Sequence, residues 1–322
     1  MPARVLHLTR DLPPRSAGGV SSAVGGWVAA AVTRGDPVAV ISFDAWRPTS
    51  TAAATYERSE RDNQSLLRVH NRPDTGVLAS FARDFAPDVI WIHDGRLAPF
   101  APPIAPRVQV VHVLSHLQDR LRAAPPTATT IALTAALEAA DGVVVTTRAA
   151  RELLLADHPG LAARTTIVPL VPTLPVYPRA PDASSGPIVV VGRFDVLKGT
   201  DLIVKALSQL VAHRPVVLAG GVPENAAAER RWAARLAGAE LVGWLAPDAL
   251  AALFATAAIM LAPSRLETCG LAVLEAVRAG VPVVASDIPA HREVAPDARF
   301  FASGDAHDLA RAVGLVFAPE SR

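Results

Sequence analysis

The chain has 322 residues, 51% hydrophobic but only 5% aromatic, and its 31 basic and 30 acidic side chains nearly cancel to a formal charge of +1. That apolar content excludes a disordered chain, and the length suffices for two domains, or one large α/β domain, around a buried core. The neutral balance, with no basic run, lacks the electrostatic footprint of a general nucleic-acid binder, and with Cys269 as the single cysteine there is no internal disulfide.

Almost all basic residues are arginine, Lys198 and Lys205 being the only lysines, a pattern that high-GC coding bias would give. No zinc-type Cys/His spacing occurs, which fits a reducing cytosol. The opening MPARVLHLTRD is too short an apolar segment for a secretory signal before Arg10 and Asp11 interrupt it. The longest apolar stretch, Ala249 to Pro263, falls short of the roughly 20 residues that cross a bilayer. The expectation is a soluble cytoplasmic protein with no transmembrane segment and no nucleic-acid partner.

In chain order, short apolar runs at Arg4–Thr9, Pro37–Phe43, Val89–His93, Val108–Leu114, Gly142–Thr146 and Thr166–Pro169 read as buried strands. A helix is predicted from about Ser21 to Arg34, capped by Ser21 or Ser22 and stopped by Gly35. Residues 46–64, rich in Thr, Ser, Arg and Glu, read as a loop. The proline-rich stretch between Pro169 and Pro187 marks a domain boundary, giving domains of 1–178 and 187–322. A second series follows, with strands at Ile188–Val191, Val216–Ala219, Glu240–Val242, Ile259–Ala262 and Val281–Ala285. Its helices fall at about 200–213, 224–236, 247–257, 270–279 and 306–317. Two doubly wound α/β units joined by a linker predict a cleft, with ligands beyond the carboxyl ends of the strands.

Two stretches carry chemistry. VVVGRFDVLKGTDLIVKAL, residues 189–207, runs from a strand through a glycine turn that displays Arg193 and Lys198 into an amphipathic helix, an arrangement suited to an anion. SRLETCGLAVLEAVRAGVPVVASD, residues 264–287, carries Glu267 before a helix that opens near Gly270 and holds Glu275 inside it. Free N–H groups at such a helix start attract a phosphate or a sugar hydroxyl, and Gly270 allows close backbone approach. Glu267 and Glu275 either grip different hydroxyls of one extended ligand or are a loop charge and a solvated helix residue. The apolar neighbours of Glu275 in LAVLEAV weigh against the second reading.

Together these stretches closely resemble the retaining GT-B glycosyltransferases (glycosyl transferases group 1, family 4-like). The resemblance rests on Gly192-Arg193 to Lys198-Gly199, the Glu267-x7-Glu275 spacing, LAGG ending at Gly221, LVGWL containing Trp244, and DIPAHREV containing Glu293. It covers the C-terminal half and is looser in the N-terminal half, at Gly18-Gly19, APDVIWIHD and EAADGVVVTT. It implies two Rossmann-like domains and a nucleotide-sugar co-substrate, UDP being the expected nucleotide, with no cofactor.

The resemblance implies that Arg193 and Lys198 hold the donor diphosphate, that Glu275 binds the ribose and that Glu267 meets the donor sugar. Backbone N–H groups around Cys269, Gly270 and Leu271 would contact sugar and phosphates. Gly221 and Trp244, and Gly18 with Gly19, would also border the donor. A strand-end histidine near the donor sugar is read as His116 in preference to His112, which the predicted strand would enclose. His93 and Asp94, at another strand terminus, are candidate acceptor contacts. The stretch IVPLVPTLP replaces the family's Asn-Gly-Val-Asp phrase, and no D-x-D triplet occurs, so a metal-independent mechanism is expected. The last helix is expected either to pack back on the N-terminal domain or to be reduced. The acceptor expected is a small soluble molecule. A nucleotide-sugar epimerase and a non-catalytic partner subunit remain as alternatives.

Overall fold

The computed structural model of the chain describes residues 2–10, 12, 19–43, 54–61, 63–71, 73–222 and 225–318. They form two compact units, Met1–Thr173 and Leu174–Arg322.

The first unit runs β1 (Val5–Thr9), α1 (Gly19–Arg34), β2 (Val38–Ser42), β3 (Thr55–Arg61), β4 (Gln64–His70), α2 (Thr75–Phe85), β5 (Val89–Ile92), β6 (Arg107–Val111), α3 (Ser115–Leu121), α4 (Ala128–Ala139), β7 (Gly142–Val145), α5 (Arg148–Asp157) and β8 (Thr165–Ile167). Its sheet order is β3-β4-β2-β1-β5-β6-β7-β8, parallel except where β3 lies antiparallel on β4. Apolar residues fill both faces because side chains alternate along a strand. Ala39 and Ile41 of β2 enter one core cluster with Leu6 and Leu8 of β1, while Val38 and Val40 enter another with Val24 and Val28 of α1.

Two boundaries differ most from the sequence expectation. Of the predicted 46–64 loop, residues 46–53 and 62 lie outside the described residues, but Thr55–Arg61 is an edge strand held in register on β4 from Thr55↔His70 to Arg61↔Gln64. TYERSER exposes nearly every side chain, so it carries no apolar alternation, and its charges suit an edge. Strand β6 stops at Val111 rather than Leu114, with Leu114 serving as the residue before α3.

The second unit runs β9 (Ile188–Arg193), α6 (Thr200–His213), β10 (Val216–Gly221), α7 (Ala226–Arg235), β11 (Glu240–Gly243), α8 (Pro247–Thr256), β12 (Ile259–Ala262), α9 (Leu271–Arg278), β13 (Val283–Ser286), α10 (Pro289–Val294), β14 (Arg299–Phe301) and α11 (Ala306–Phe317). All six strands are parallel, in the order β11-β10-β9-β12-β13-β14. The chain winds outward from β9 to β11 and then returns to place β12 on the other side of β9. Helices α6 and α9 therefore pack on opposite faces of the sheet, and the switch of strand order falls between β9 and β12, where a ligand crevice is expected at the carboxyl ends.

The proline-rich stretch is stitched onto α8: Ala180 N donates to Ala255 O at 2.9 Å, Arg179 Nη1 to Phe254 O at 2.8 Å and Tyr177 OH to Asp248 Oδ1 at 2.9 Å. Helix α11 packs against α6. Its apolar stripe, Leu309, Ala312 and Val313, is buried in one cluster with Leu202, Ile203 and Leu210 of α6. Among the described residues no helix is long and apolar enough to cross a membrane.

Candidate active site at the β9/β12 crevice

Strand β9 delivers Arg193, and the turn beyond it is closed by short-range bonds. Asp195 Oδ1 accepts the Lys198 N–H at 2.7 Å, and the Asp195 N–H donates to Thr200 Oγ1 at 3.1 Å. Arg193 Nη2 lies 3.3 Å from Asp195 Oδ2. Gly199 follows at φ 72°, and a β-carbon there would sit 2.1 Å from the carbonyl oxygen of Pro263. Only glycine lets the Lys198 loop rest on the loop leaving β12.

The two loops are joined by Arg265. Its N–H donates to Leu197 O at 2.7 Å, and its guanidinium is bidentate on Asp201 at 2.6 and 2.8 Å. This fork fixes the carrier of Glu267 against the first turn of α6. Glu267 Oε1 accepts from Lys198 Nζ at 2.5 Å and from Ser264 Oγ at 2.8 Å. Burial acts to raise the Glu267 carboxyl, but the Lys198 ammonium and its hydrogen bond prevail and hold it below the usual carboxylate value.

Behind Ser264 lies a second support. Ser286 Oγ, at the end of β13, donates to the Ser264 carbonyl, and His291 Nδ1 is 3.0 Å from the Ser286 carbonyl oxygen. Since the Ser286 hydroxyl proton is directed to Ser264, Nδ1 of the neutral imidazole carries the proton toward Ser286 O. His291 is fully buried, and its charged form is disfavoured by that burial.

Gly270 is the N-cap of α9 at φ 80°, and no side chain caps the helix. The first-turn amide of Leu271 thus begins a helix whose positive dipole end opens beside Glu267. Glu275, in the second turn, is 8% exposed, and burial pushes its carboxyl up to about 7 against the opposing pull of Arg278. Cys269 is buried, and that burial, helped by Glu267 and Glu293, pushes its thiol up to about 12. It is a packed side chain with no thiolate to offer. At the end of β10, a β-carbon on Gly221 would meet Glu229 Oε1 at 2.9 Å and Trp244 Nε1 at 3.4 Å, while the Trp244 side chain is exposed just beyond β11. Arg193, Lys198, Gly221, Trp244 and Glu267 all stand at or just beyond the carboxyl ends of β9 to β12.

In the first unit, Gly18 lies outside the described residues. Gly19 is the first residue of α1, two positions before the predicted start at Ser21, with open space where a β-carbon would stand. His112, not His116, is the residue at the strand terminus, because β6 ends at Val111. His116 sits in α3 with Nε2 3.0 Å from Asp157 Oδ2, a carboxylate that Arg120 also grips. It lines a surface pocket of about 350 Å³ with Asp119, Arg120 and His158. His93 is buried with both ring nitrogens engaged by other histidines, so no ring nitrogen is left to meet an acceptor. Asp94 accepts the Arg96 N–H at 2.9 Å, capping the turn after β5, and pairs with the guanidinium groups of Arg96 and Arg10.

Asp201, Ser264, Arg265, Ser286, His291 and His7 escaped the sequence reading. Arg265 and Asp201 are 64 residues apart, Ser286 and the Ser264 carbonyl 22, and His7 and His93 86, so local spacing carries no signal for these pairings. Among the described residues no group of three or more His, Cys, Asp or Glu side chains is arranged to hold a metal ion.

Residues 186–318 match the family model described as glycosyl transferases group 1. The D-inositol 3-phosphate glycosyltransferase 2 of Catenulispora acidiphila is 34% identical over 157 residues, 43% of this chain and 36% of that protein. Another such enzyme, from Acidothermus cellulolyticus, is 30% identical over 40% of this chain and 32% of its own length, so the chain matches only part of these relatives. Among solved structures, sucrose-phosphate synthase from Thermosynechococcus elongatus superimposes with TM-score 0.76 over 97% of this chain and 89% of that one, at 20% identity. The fold is therefore that of the GT-B glycosyltransferases.

Proposed function

We propose that this chain, with a glycosyl transferases group 1 segment in its second unit and a GT-B fold, is a retaining glycosyltransferase that moves a sugar from a nucleoside-diphosphate sugar to a hydroxyl of a small soluble acceptor. The observation that carries the reading is the Lys198–Glu267 pair at the β9/β12 crevice, beside the uncapped start of α9. An ammonium has three N–H donors and Glu267 takes one, so the same lysine can serve a carboxylate and a phosphate oxygen together.

In this reading Arg193 and Lys198 hold the donor diphosphate and stabilise the charge that grows on it as the glycosidic bond breaks, a preorganised electrostatic role. They meet that charge without a metal ion. Glu267, kept ionised and oriented by Lys198 and Ser264, accepts from hydroxyls of the donor sugar near the reacting carbon. The amides of Gly270 and Leu271 face phosphate or sugar, Glu275 binds the ribose, and Gly221 with Trp244 borders the base. In the first unit, Gly19 and His112 are the proposed ligand contacts. UDP is the proposed nucleotide, supported by the related fold of the Anabaena protein HepE, solved with UDP and glucose at TM-score 0.71 and 18% identity. The names of the inositol phosphate relatives support a polyol or sugar phosphate as acceptor.

The test is a thermal-shift panel of UDP, GDP and dTDP, followed by incubation of the stabilising nucleotide's sugars with acceptors and assignment of the product anomer by nuclear magnetic resonance. Stabilisation by one nucleotide, transfer with retained configuration and activity undiminished by a chelator are expected. Absence of binding to every nucleotide by folded protein overturns the reading. Conversion of the donor sugar without release of nucleotide identifies an epimerase instead.

A further inference from the structure

Three histidines from separate strands of the first unit form a line. His7 Nδ1 is 2.9 Å from His93 Nε2, and His93 Nδ1 is 2.8 Å from His112 Nε2. The rings of His7 and His93 stack at 5.2 Å and those of His93 and His112 at 5.1 Å. His7 lies in the middle of β1, on the strand face opposite Leu6 and Leu8, while His93 and His112 immediately follow β5 and β6. The line therefore starts at the β1/β5 switch of strand order and ends at His112. Trp27 of α1 flanks His93 and His112 at 5.7 Å, and Trp91 stands edge-on to His7 at 5.4 Å, so the rings are held in place on both sides.

A neutral imidazole has one N–H and one lone-pair nitrogen. If His93 donates through Nδ1 to His112, its Nε2 must accept from Nδ1–H of His7, and all three residues carry their proton on Nδ1. If His112 donates through Nε2, His93 must pass the role on through its own Nε2, and all three carry it on Nε2. No mixed set satisfies both hydrogen bonds. Burial supports the neutral state throughout, lowering His7 to about 3, His112 to about 4 and His93 well below the usual histidine value.

We infer that His7 and His93 are positioning residues that fix the tautomer of His112, so that the strand-end histidine changes its proton-bearing nitrogen only when all three change together. His112, the least buried of the three, is where this control is used. Its use in glycosyl transfer rests on the function proposed above, whereas the coupling itself does not.

The test uses the full chain labelled with ¹⁵N-histidine at neutral pH, where long-range ¹H–¹⁵N spectra report the tautomer of each ring. The three resonances, assigned through single substitutions, are expected to show one common tautomer. A mixed set in the wild-type protein overturns the inference without any variant. His7→Leu removes the far end and is expected to leave His112 in a mixture of tautomers. His7→Asn, whose amide can donate to or accept from His93 Nε2, restores a partner there and is expected to return His93 and His112 to a common tautomer. An unchanged His112 spectrum in folded His7→Leu also overturns the coupling. A common tautomer in a protein that transfers no sugar sinks the proposed function and leaves the coupling standing.

Discussion

Lys198 and Glu267, 69 residues apart, meet at 2.5 Å because their loops leave adjacent parallel strands and are clamped together by the fork of Arg265 on Asp201. The pair is partly shielded, with side-chain exposures of 28% and 14%. Each group orients the other, and a ligand's negative charge would meet an ammonium that is already placed.

Lys198→Ala is expected to lower kcat/KM by about 10²-fold or more, in line with other preorganised charge stabilisers. Steady-state kinetics on protein of unchanged circular dichroism checks this. Kinetics equal to wild type would remove Lys198 from the leaving-group role.

Breaking the clamp should act at a distance. Arg265→Ala and Asp201→Ala are expected each to destabilise the second unit, with a coupling of roughly 0.5–3 kcal/mol in a double-mutant cycle followed by urea denaturation. Strictly additive effects would mean that the fork does not hold the two loops.

Gly199→Ala forces a side chain into a positive-φ site and onto the Pro263 carbonyl. A loss of about 1–3 kcal/mol is expected, accompanied by weaker nucleotide binding because the Lys198 loop must lift. Wild-type stability on thermal denaturation would contradict the close contact.

Glu275 gives a pH dependence of definite sign. With its carboxyl raised to about 7, the free protein holds it largely protonated at pH 6. If the carboxylate accepts from ribose hydroxyls, binding of a nucleotide-sugar releases this proton, so affinity rises as pH increases through 7 and then levels. Nucleotide-sugars suit the titration because their phosphates are both esterified and do not ionise in this range. Glu275→Gln should bind more weakly and lose the slope, and a slope that persists in this variant would assign it to another group.

The histidine line predicts acid sensitivity. His7 and His112 titrate near 3 and 4 in the folded protein against 6.5 for an ordinary histidine, because burial disfavours their charged forms, with Asp94 partly opposing this at His112. The native state binds fewer protons than the unfolded state, so this contribution to stability is complete above pH 6.5 and is lost as pH falls toward 4 and 3. Glu275 works in the opposite direction between 4.5 and 7, so the comparison is between wild type and His7→Asn. The variant's melting temperature should fall less steeply on acidification. Parallel pH profiles would show that His7 is not kept neutral by its surroundings.

The sequence by itself determined the alternation of strands and helices, the turns of β9 and β12 that carry Arg193, Lys198 and Glu267, and the nearly exact span of α6. These are local matters: apolar runs, glycine stops and helical periodicity are encoded within a few residues. Tertiary structure decided the rest. The charged edge strand β3 has no apolar pattern of its own and exists through its pairing with β4. The extent of β6 left His112, and not His116, directly after the strand, and parallel neighbours set where a strand stops more than its own side chains do. The Arg265–Asp201 fork, the Ser286–Ser264 support and the three-histidine line join residues that are separated in sequence and come together only at neighbouring strands, so only the folded sheet brings their hydrogen bonds into being.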